Sequence, residues 1–443
     1  MKAGYTLHTR AGEATAAMCH AAIIGNGIAG ITAARRLRAL RPDWRISVIS
    51  GESRYHYSRP ALMYIFMGHM RYADTKPFED RVWADERIEL VRDWVTEIDV
   101  AASRLRLHAG GTLAYDKLLI ATGSQSNRFG WPGQDLRRVQ GLYDLIDLHT
   151  LTENMRDTRR SVIVGGGLIG VELAEMLHSR GVHVTMLIRE TDYWRNVLPA
   201  EESAMVSRLI RHEGFDLRLE TRLAEILDDG TGAAWAVVTD RGERIEAQLV
   251  GLTVGVSPNI DLVRDTAIKA GRGVLVDESL RTNVDNIWAA GDCAEIVRPH
   301  VERNLLQQVW YTGKAQGRVA GEAMAGVETR YEPGIWYNSA KFLDLEYQTY
   351  GDVRPNPRDG ERHLWWEHAD GRKGVRLVCD SAGVFIGLNT MGVRYRHEVC
   401  EGWIRDRRSI DDVVAQLPQA NFDSEFSRRY ESEIAATMRE QTR

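Results

Sequence analysis

Apolar positions along the chain repeat one local grammar twice. Residues 22 to 25 read as a short buried strand, and the turn Gly25-Asn26-Gly27-Ile28-Ala29-Gly30 follows. Ile31, Ala34, Leu37 and Leu40 then recur on one side of a helix, and the apolar stretch RISVIS closes a βαβ unit. The pattern returns with Ser161 to Val164 as strand, Gly165-Gly166-Gly167-Leu168-Ile169-Gly170 as turn, a helix ending at Gly181, and VHVTMLIR as the next strand. Three further apolar strands run into small-residue turns: YDKLLIATGS, LVGLTVGVSPN and NIWAAGDCAE. A helix is predicted from about 304 to 326.

From about 332 the pattern changes. WYNSAKFLDLEYQTYGDV, HLWWEH, GVRLVCD and GVFIGLNTMG read as antiparallel strands, and Ser409-Ile410-Asp411-Asp412 as a cap opening a last helical segment. The expected fold class is α/β, with one dinucleotide-binding domain inserted into another and an α+β domain at the C-terminus. The expected division is 1–144 with 251–331, then 145–250, then 332–443.

Each glycine turn has the chemistry of a diphosphate seat. Gly25 allows the tight turn, Gly27 lets backbone approach a pyrophosphate, Gly30 lets helix pack on strand, and the helix N-terminus carries about half a positive charge. Glu52, about 20 residues on, is placed to accept hydrogen bonds from an adenosine ribose. Gly165, Gly167 and Gly170, with Leu168 and Ile169 between them, repeat the arrangement. There the strand ends in Ile188 and Arg189 instead of an acid.

Composition narrows the classes. The 443 residues carry a formal net charge of -5, which gives no basic footprint for nucleic acid. No apolar run nears the roughly 18 residues that span a bilayer, and the first twenty residues lack a secretory h-region, so a cytosolic protein with no membrane insertion is expected. The four cysteines, at 19, 293, 379 and 400, form no Cys-x-x-Cys pair and have no metal-ligand spacing, so neither a structural disulfide nor a metal is expected.

Taken together, Gly25 to Gly30, LLIATGS, VGGGLIGVELA, GVSPN and IWAAGDCAE resemble the pyridine nucleotide-dependent flavoprotein reductases of the two-dinucleotide-fold superfamily. Within it the chain is similar to the ferredoxin, rubredoxin and nitrite reductase flavoproteins and their relative apoptosis-inducing factor. The resemblance implies FAD on the first turn and NADPH or NADH on the second. It places Asp292 of Gly291-Asp292 on the flavin ribityl chain, and Ala121, Thr122 and Gly123 beside the FAD. It makes Arg59 a candidate for the flavin phosphates and puts Gly255 in a cofactor-lining turn. Trp310, ahead of Gln316-Gly317, matches an aromatic plate at the flavin, with a core tryptophan as the alternative. Glu172 matches an acid near the nicotinamide, with simple charge complementarity at the helix start as the alternative.

The disulfide reductases of the superfamily relay electrons through cysteines. Here Tyr57, Ser58, Arg59 and Pro60 stand in that neighbourhood, with no thiol between Cys19 and Cys293. Electrons would then leave the flavin directly, to a one-electron iron–sulfur carrier of the ferredoxin or rubredoxin kind, to a quinone or other small acceptor, or to dioxygen. Alternatives are a self-contained NAD(P)H oxidase or small-molecule dehydrogenase, and a redox-sensitive interaction protein like apoptosis-inducing factor. The basic run IRDRR at 404–408 is either a dock for an acidic carrier or a solvated face. Arg189 and Arg195 repeat the spacing of NADPH-preferring glutathione reductases, which favours NADPH, while Glu190 opposes it and NADH stays possible. A homodimer through the C-terminal domain follows by analogy alone.

Overall fold

The computed structural model describes residues 18–298, 305–423, 425, 426 and 428–442. The N-terminal stretch in which a secretory signal was sought, up to residue 17, lies outside them. Two parallel sheets and one antiparallel sheet organise the molecule.

The first sheet has five parallel strands in the order 287–289, 117–120, β1 (His20–Ile24), β2 (Arg45–Ile49), 88–91. Its central strand β1 is buried on both faces, and the amide of Gly25 donates to the carbonyl of Ile49, so the first glycine turn sits at the carboxyl edge of the sheet. That edge is where open α/β sheets bind ligands. Helix α1 (Ile28–Leu40) follows the turn and buries Ile31, Ala34 and Leu37, as its 3.6-residue pattern predicts. Arg38 breaks that pattern. Its buried guanidinium donates to the carbonyls of Arg41, Pro42, Trp44, Glu86 and Arg87 and so locks the end of the helix to the loops around it.

The second sheet, also parallel, has the order 216–218, 183–187, 160–164, 249–252, 139–140. Its edge strand Val139–Gln140 precedes the expected boundary at 145. Helix α2 (Leu168–His178) follows the second glycine turn, and helix α3 (Ala200–His212) covers the same unit.

The five C-terminal strands pair antiparallel in the order 337–342, 345–351, 385–391, 374–379, 362–367, as the alternating pattern predicts. One face of this sheet shares a core with the second parallel unit: Phe342, Leu345, Tyr347 and Met391 pack in one cluster with Tyr193, Leu198 and Met205. The other face is covered by the helices 397–405, 410–420 and 431–442. Ser409 caps the middle one, its hydroxyl accepting from the amide of Asp412 at 3.1 Å.

Helix α4 (Trp310–Met324) is shorter than the sequence pattern predicts, and Asn304, where that pattern begins, lies outside the described residues. Leu305 instead pairs with Ile296 in both directions at 2.9 Å, which holds the chain extended there. Helix α4 crosses α1 on a glycine face: a Cβ at Gly317 would stand 2.3 Å from the carbonyl oxygen of Ala29, and one at Gly321 would stand 2.8 Å from that of Ala33. This close approach carries the N-terminus of α4 to the first glycine turn. No helix among the described residues is long and apolar enough to cross a membrane.

Candidate functional site

Two openings at helix N-termini define the site. At the first, Gly25 has φ +106°, and a Cβ there would stand 2.2 Å from the carbonyl oxygen of Ala121, so only glycine fits. Gly27 caps α1 with no side chain bonded to the helix amides, and nothing lies within 4 Å of where its Cβ would point. Ile28, Ala29 and Gly30 form the first helical turn, with Ala29 and Gly30 buried. The second opening repeats this geometry. Gly165 has φ +118° and lies against the carbonyl of Thr253, Gly167 is open and uncapped by any side chain, and Leu168, Ile169 and Gly170 lead into α2. Free amides at two unblocked, positively polarised helix ends fit two diphosphates.

The other edge of the first opening is built by three turns that the sheet brings together. Ala121 donates its amide to Ile24, Thr122 donates its hydroxyl to the carbonyl of Asn259 at 2.7 Å, and Gly123 lies in the left-handed region at φ +71°. Gly291 donates its amide to Oε1 of buried Gln316 at 2.8 Å, so helix α4 fixes the Gly-Asp turn. Burial raises the carboxyl pKa of Asp292. The residue accepts a hydrogen bond from the hydroxyl of Ser124 at 3.1 Å. Sequence reasoning missed Tyr143 and Gln308, which complete this network: the hydroxyl of Tyr143 accepts from the amide of Ser124, and Gln308 donates to the Ser124 hydroxyl at 2.7 Å. No local pattern marks either residue.

Glu52 and Arg59 face each other. Arg59 donates to both carboxylate oxygens, at 2.8 and 3.2 Å, Tyr57 donates its hydroxyl to the same carboxylate, and the amide of Leu145 adds a bond at 3.2 Å. Burial acts to raise the pKa of Glu52, and the charge and hydrogen bonds of Arg59 overcome it and hold the group below the usual carboxylate range. Ribose acid and phosphate arginine, expected as independent contacts, are thus one ion pair.

At the second opening Glu172 lies half-buried on α2. Burial, reinforced by repulsion from Glu175, pushes its carboxyl up to about 7. Tyr193, another residue that sequence reasoning missed, is fully buried and donates its hydroxyl to the carbonyl of Gly167 at 2.7 Å, clamping the glycine turn from the following loop. Ile188 is buried where an acid would stand. Arg189 is exposed and paired with Glu190 at 2.7 Å, whereas Arg195 turns to the C-terminal domain, donating to the carbonyl of Pro355 and to Asn356 at 3.0 Å each. Gly255, at φ +90°, turns the chain between strands 249–252 and 256–258, and the second of these pairs with 124–126. Trp310 begins α4, 38% exposed, edge-on to Tyr311 and with Lys314 over its ring, so it is no core residue.

Cys293 is fully buried with its thiol against the carbonyls of Ile120 and Ala290, and Cys379 and Cys400 are buried as well. In the run 404–408, Arg405 and Arg408 both lie near Asp406, which reduces its positive character.

Two parallel sheets, each with a glycine turn and an uncapped helix N-terminus at its carboxyl edge, have the form of a two-dinucleotide fold. The model of the pyridine nucleotide-disulphide oxidoreductase family matches residues 19–317. The chain belongs to this family of FAD-dependent NAD(P)H oxidoreductases. The biphenyl dioxygenase system ferredoxin–NAD(+) reductase component of Paraburkholderia xenovorans is 33% identical over 307 residues, covering 68% of this chain and 74% of that protein. The NAD(P)H sulfur oxidoreductase (CoA-dependent) of Pyrococcus abyssi is 30% identical over 427 residues, 90% of each chain. The fold is shared with the putidaredoxin reductase of a covalent putidaredoxin reductase–putidaredoxin complex, at a TM-score of 0.78 and 21% identity, over 95% of this chain and 99% of that one.

Proposed function

We propose that the protein takes hydride from NADPH, or less readily NADH, and passes electrons singly to a small iron–sulfur carrier of the ferredoxin or rubredoxin class in the cytosol. When bound, FAD supplies the conversion of a two-electron donor into one-electron deliveries. In this reading residues 1–144 with 251–331 hold FAD, 145–250 hold the nicotinamide dinucleotide, and 332–443 support both. Gly25, Gly27 and Asp292 seat the first cofactor, and Gly165, Gly167 and Arg189 seat the second. Trp310 shields the reacting rings from water, and Glu172 sets the charge beside the nicotinamide.

The observation that carries the reading is the absence of a thiol where a sulfur relay would stand. Tyr57 fills that neighbourhood with its hydroxyl on Glu52, and the thiol of Cys293 is closed off by backbone. The relative named as a ferredoxin–NAD(+) reductase component supports the choice of acceptor.

The test is anaerobic titration of the purified protein with NADPH and NADH, followed by addition of ferredoxin, rubredoxin or oxygen. Bleaching at one equivalent with fast carrier-dependent reoxidation and slow reaction with air is expected. Rapid peroxide formation without a carrier, or slow bleaching to a long-lived complex, overturns the proposal.

A further inference from the structure

In the dinucleotide-binding fold the adenosine lies against the end of the second strand of the βαβ unit. Strand β2 ends at Ile49, beside the first glycine turn, so residues 50–52 and their neighbours decide what the adenosine meets. The side chain of Glu52 is already engaged by Arg59, Tyr57 and the amide of Leu145. Position 51 is a glycine outside the left-handed region, so no turn conformation requires it. What requires it is Trp94: a Cβ on Gly51 would stand 1.9 Å from Cδ2, 2.1 Å from Cε2 and 2.3 Å from Cγ of that indole. The ring therefore fills the space that a side chain at 51 would take.

Trp94 is held there firmly. Its amide donates to Asp93 at 2.8 Å, its carbonyl accepts from His108 at 2.9 Å, and the amide of Ser50 donates to Val91 two residues before Asp93 at 3.0 Å. Even so the side chain is 48% exposed. A tryptophan with a fixed backbone, a glycine under its ring and about half its surface in water has the form of a stacking plate and not of a core residue.

We propose that Trp94 is the adenine platform of the first dinucleotide site, its indole face stacking on the base. This rests on the reading that the first glycine turn holds FAD. Alanine at a base-stacking aromatic weakens binding by about tenfold.

The experiment measures dissociation constants of the flavin-free protein for FAD, ADP and FMN by calorimetry. Trp94→Ala is expected to weaken FAD and ADP by about tenfold and to leave FMN, which lacks adenosine, within about twofold. Trp94→Phe should keep most of the affinity. Gly51→Ala, which displaces the indole without removing it, should weaken FAD and ADP as Trp94→Ala does. FAD affinity unchanged in Trp94→Ala, or an equal loss for FMN, overturns the inference and leaves the proposed function standing. A wild-type protein that binds no FAD sinks both.

Discussion

Arg376, on strand Gly374–Cys379 of the C-terminal sheet, donates to both carboxylate oxygens of Glu202 on helix α3, at 2.7 and 2.8 Å, with both side chains buried. Asn389 donates to the same carboxylate at 3.2 Å, and Glu201 accepts a further bond from Arg376 at 2.6 Å. Despite burial, these acidic partners raise the pKa of the Arg376 guanidinium in the pair. It joins the domain proposed to hold the nicotinamide to the sheet that supports it. Arg376→Met strands a buried carboxylate and is expected to cost about 3–5 kcal/mol in urea unfolding, while Glu202→Leu with Arg376→Met recovers most of the loss. A double variant no more stable than the single one contradicts this.

Glu172 titrates near neutrality because burial resists its charge. With its folded pKa raised from the ordinary 4.5 to about 7, the folded state holds the extra proton, so stability is full below pH 4.5 and is lost as pH rises through about 7. Glu172→Gln is therefore expected to match wild type at pH 4.5 and to be more stable at pH 8, by at most about 3.5 kcal/mol at about 1.4 kcal/mol per unit. If Glu172 faces the nicotinamide, the affinity for the oxidised dinucleotide, whose nicotinamide ring is cationic, rises with pH through about 7, and this rise disappears in the variant. Isothermal titration with NADP⁺ across pH 6–8 reads it directly.

Nicotinamide preference should lie with Arg189 and not with Arg195. The donors of Arg195 are committed to Pro355, Leu198 and Asn356, whereas Arg189 is exposed and paired with Glu190. A charge-assisted hydrogen bond contributes about 1.5–3 kcal/mol, so Arg189→Ala is expected to lower the NADPH-over-NADH ratio of kcat/KM by about tenfold or more. Glu190→Gln raises the ratio, and Arg195→Ala leaves it within about twofold while lowering the melting temperature. A large shift in the ratio on removing Arg195 instead reverses the assignment.

Gly317→Ala should act on the first cofactor from a distance. Alanine is the better helix former by about 1 kcal/mol, yet its methyl would meet the Ala29 carbonyl at 2.3 Å and push α1 away from α4. The expected result is a net loss of about 1–3 kcal/mol in stability together with weaker FAD binding, because α1 carries the glycine turn. Equal stability and affinity would show that the crossing adapts freely.

The sequence by itself determined what is local. Gly25 and Gly165 are legible because a strand-to-helix turn at φ above +100° selects glycine within six residues, and the strands and helices around them follow from periods of 2 and 3.6. The lack of a thiol between Cys19 and Cys293 is likewise a plain fact of the chain. Tertiary structure alone decided the long-range pairings. It turned Glu52 and Arg59 onto each other, led Arg195 to the C-terminal loop 160 residues on, brought Tyr143 to Ser124, and set Trp94 on Gly51. Periodicity reports which way a side chain faces relative to its own element, whereas an ion pair or a ring contact depends on which distant element arrives there. That arrival is fixed by the packing of whole sheets and helices, such as the glycine-faced crossing of α1 and α4, and no local window contains it.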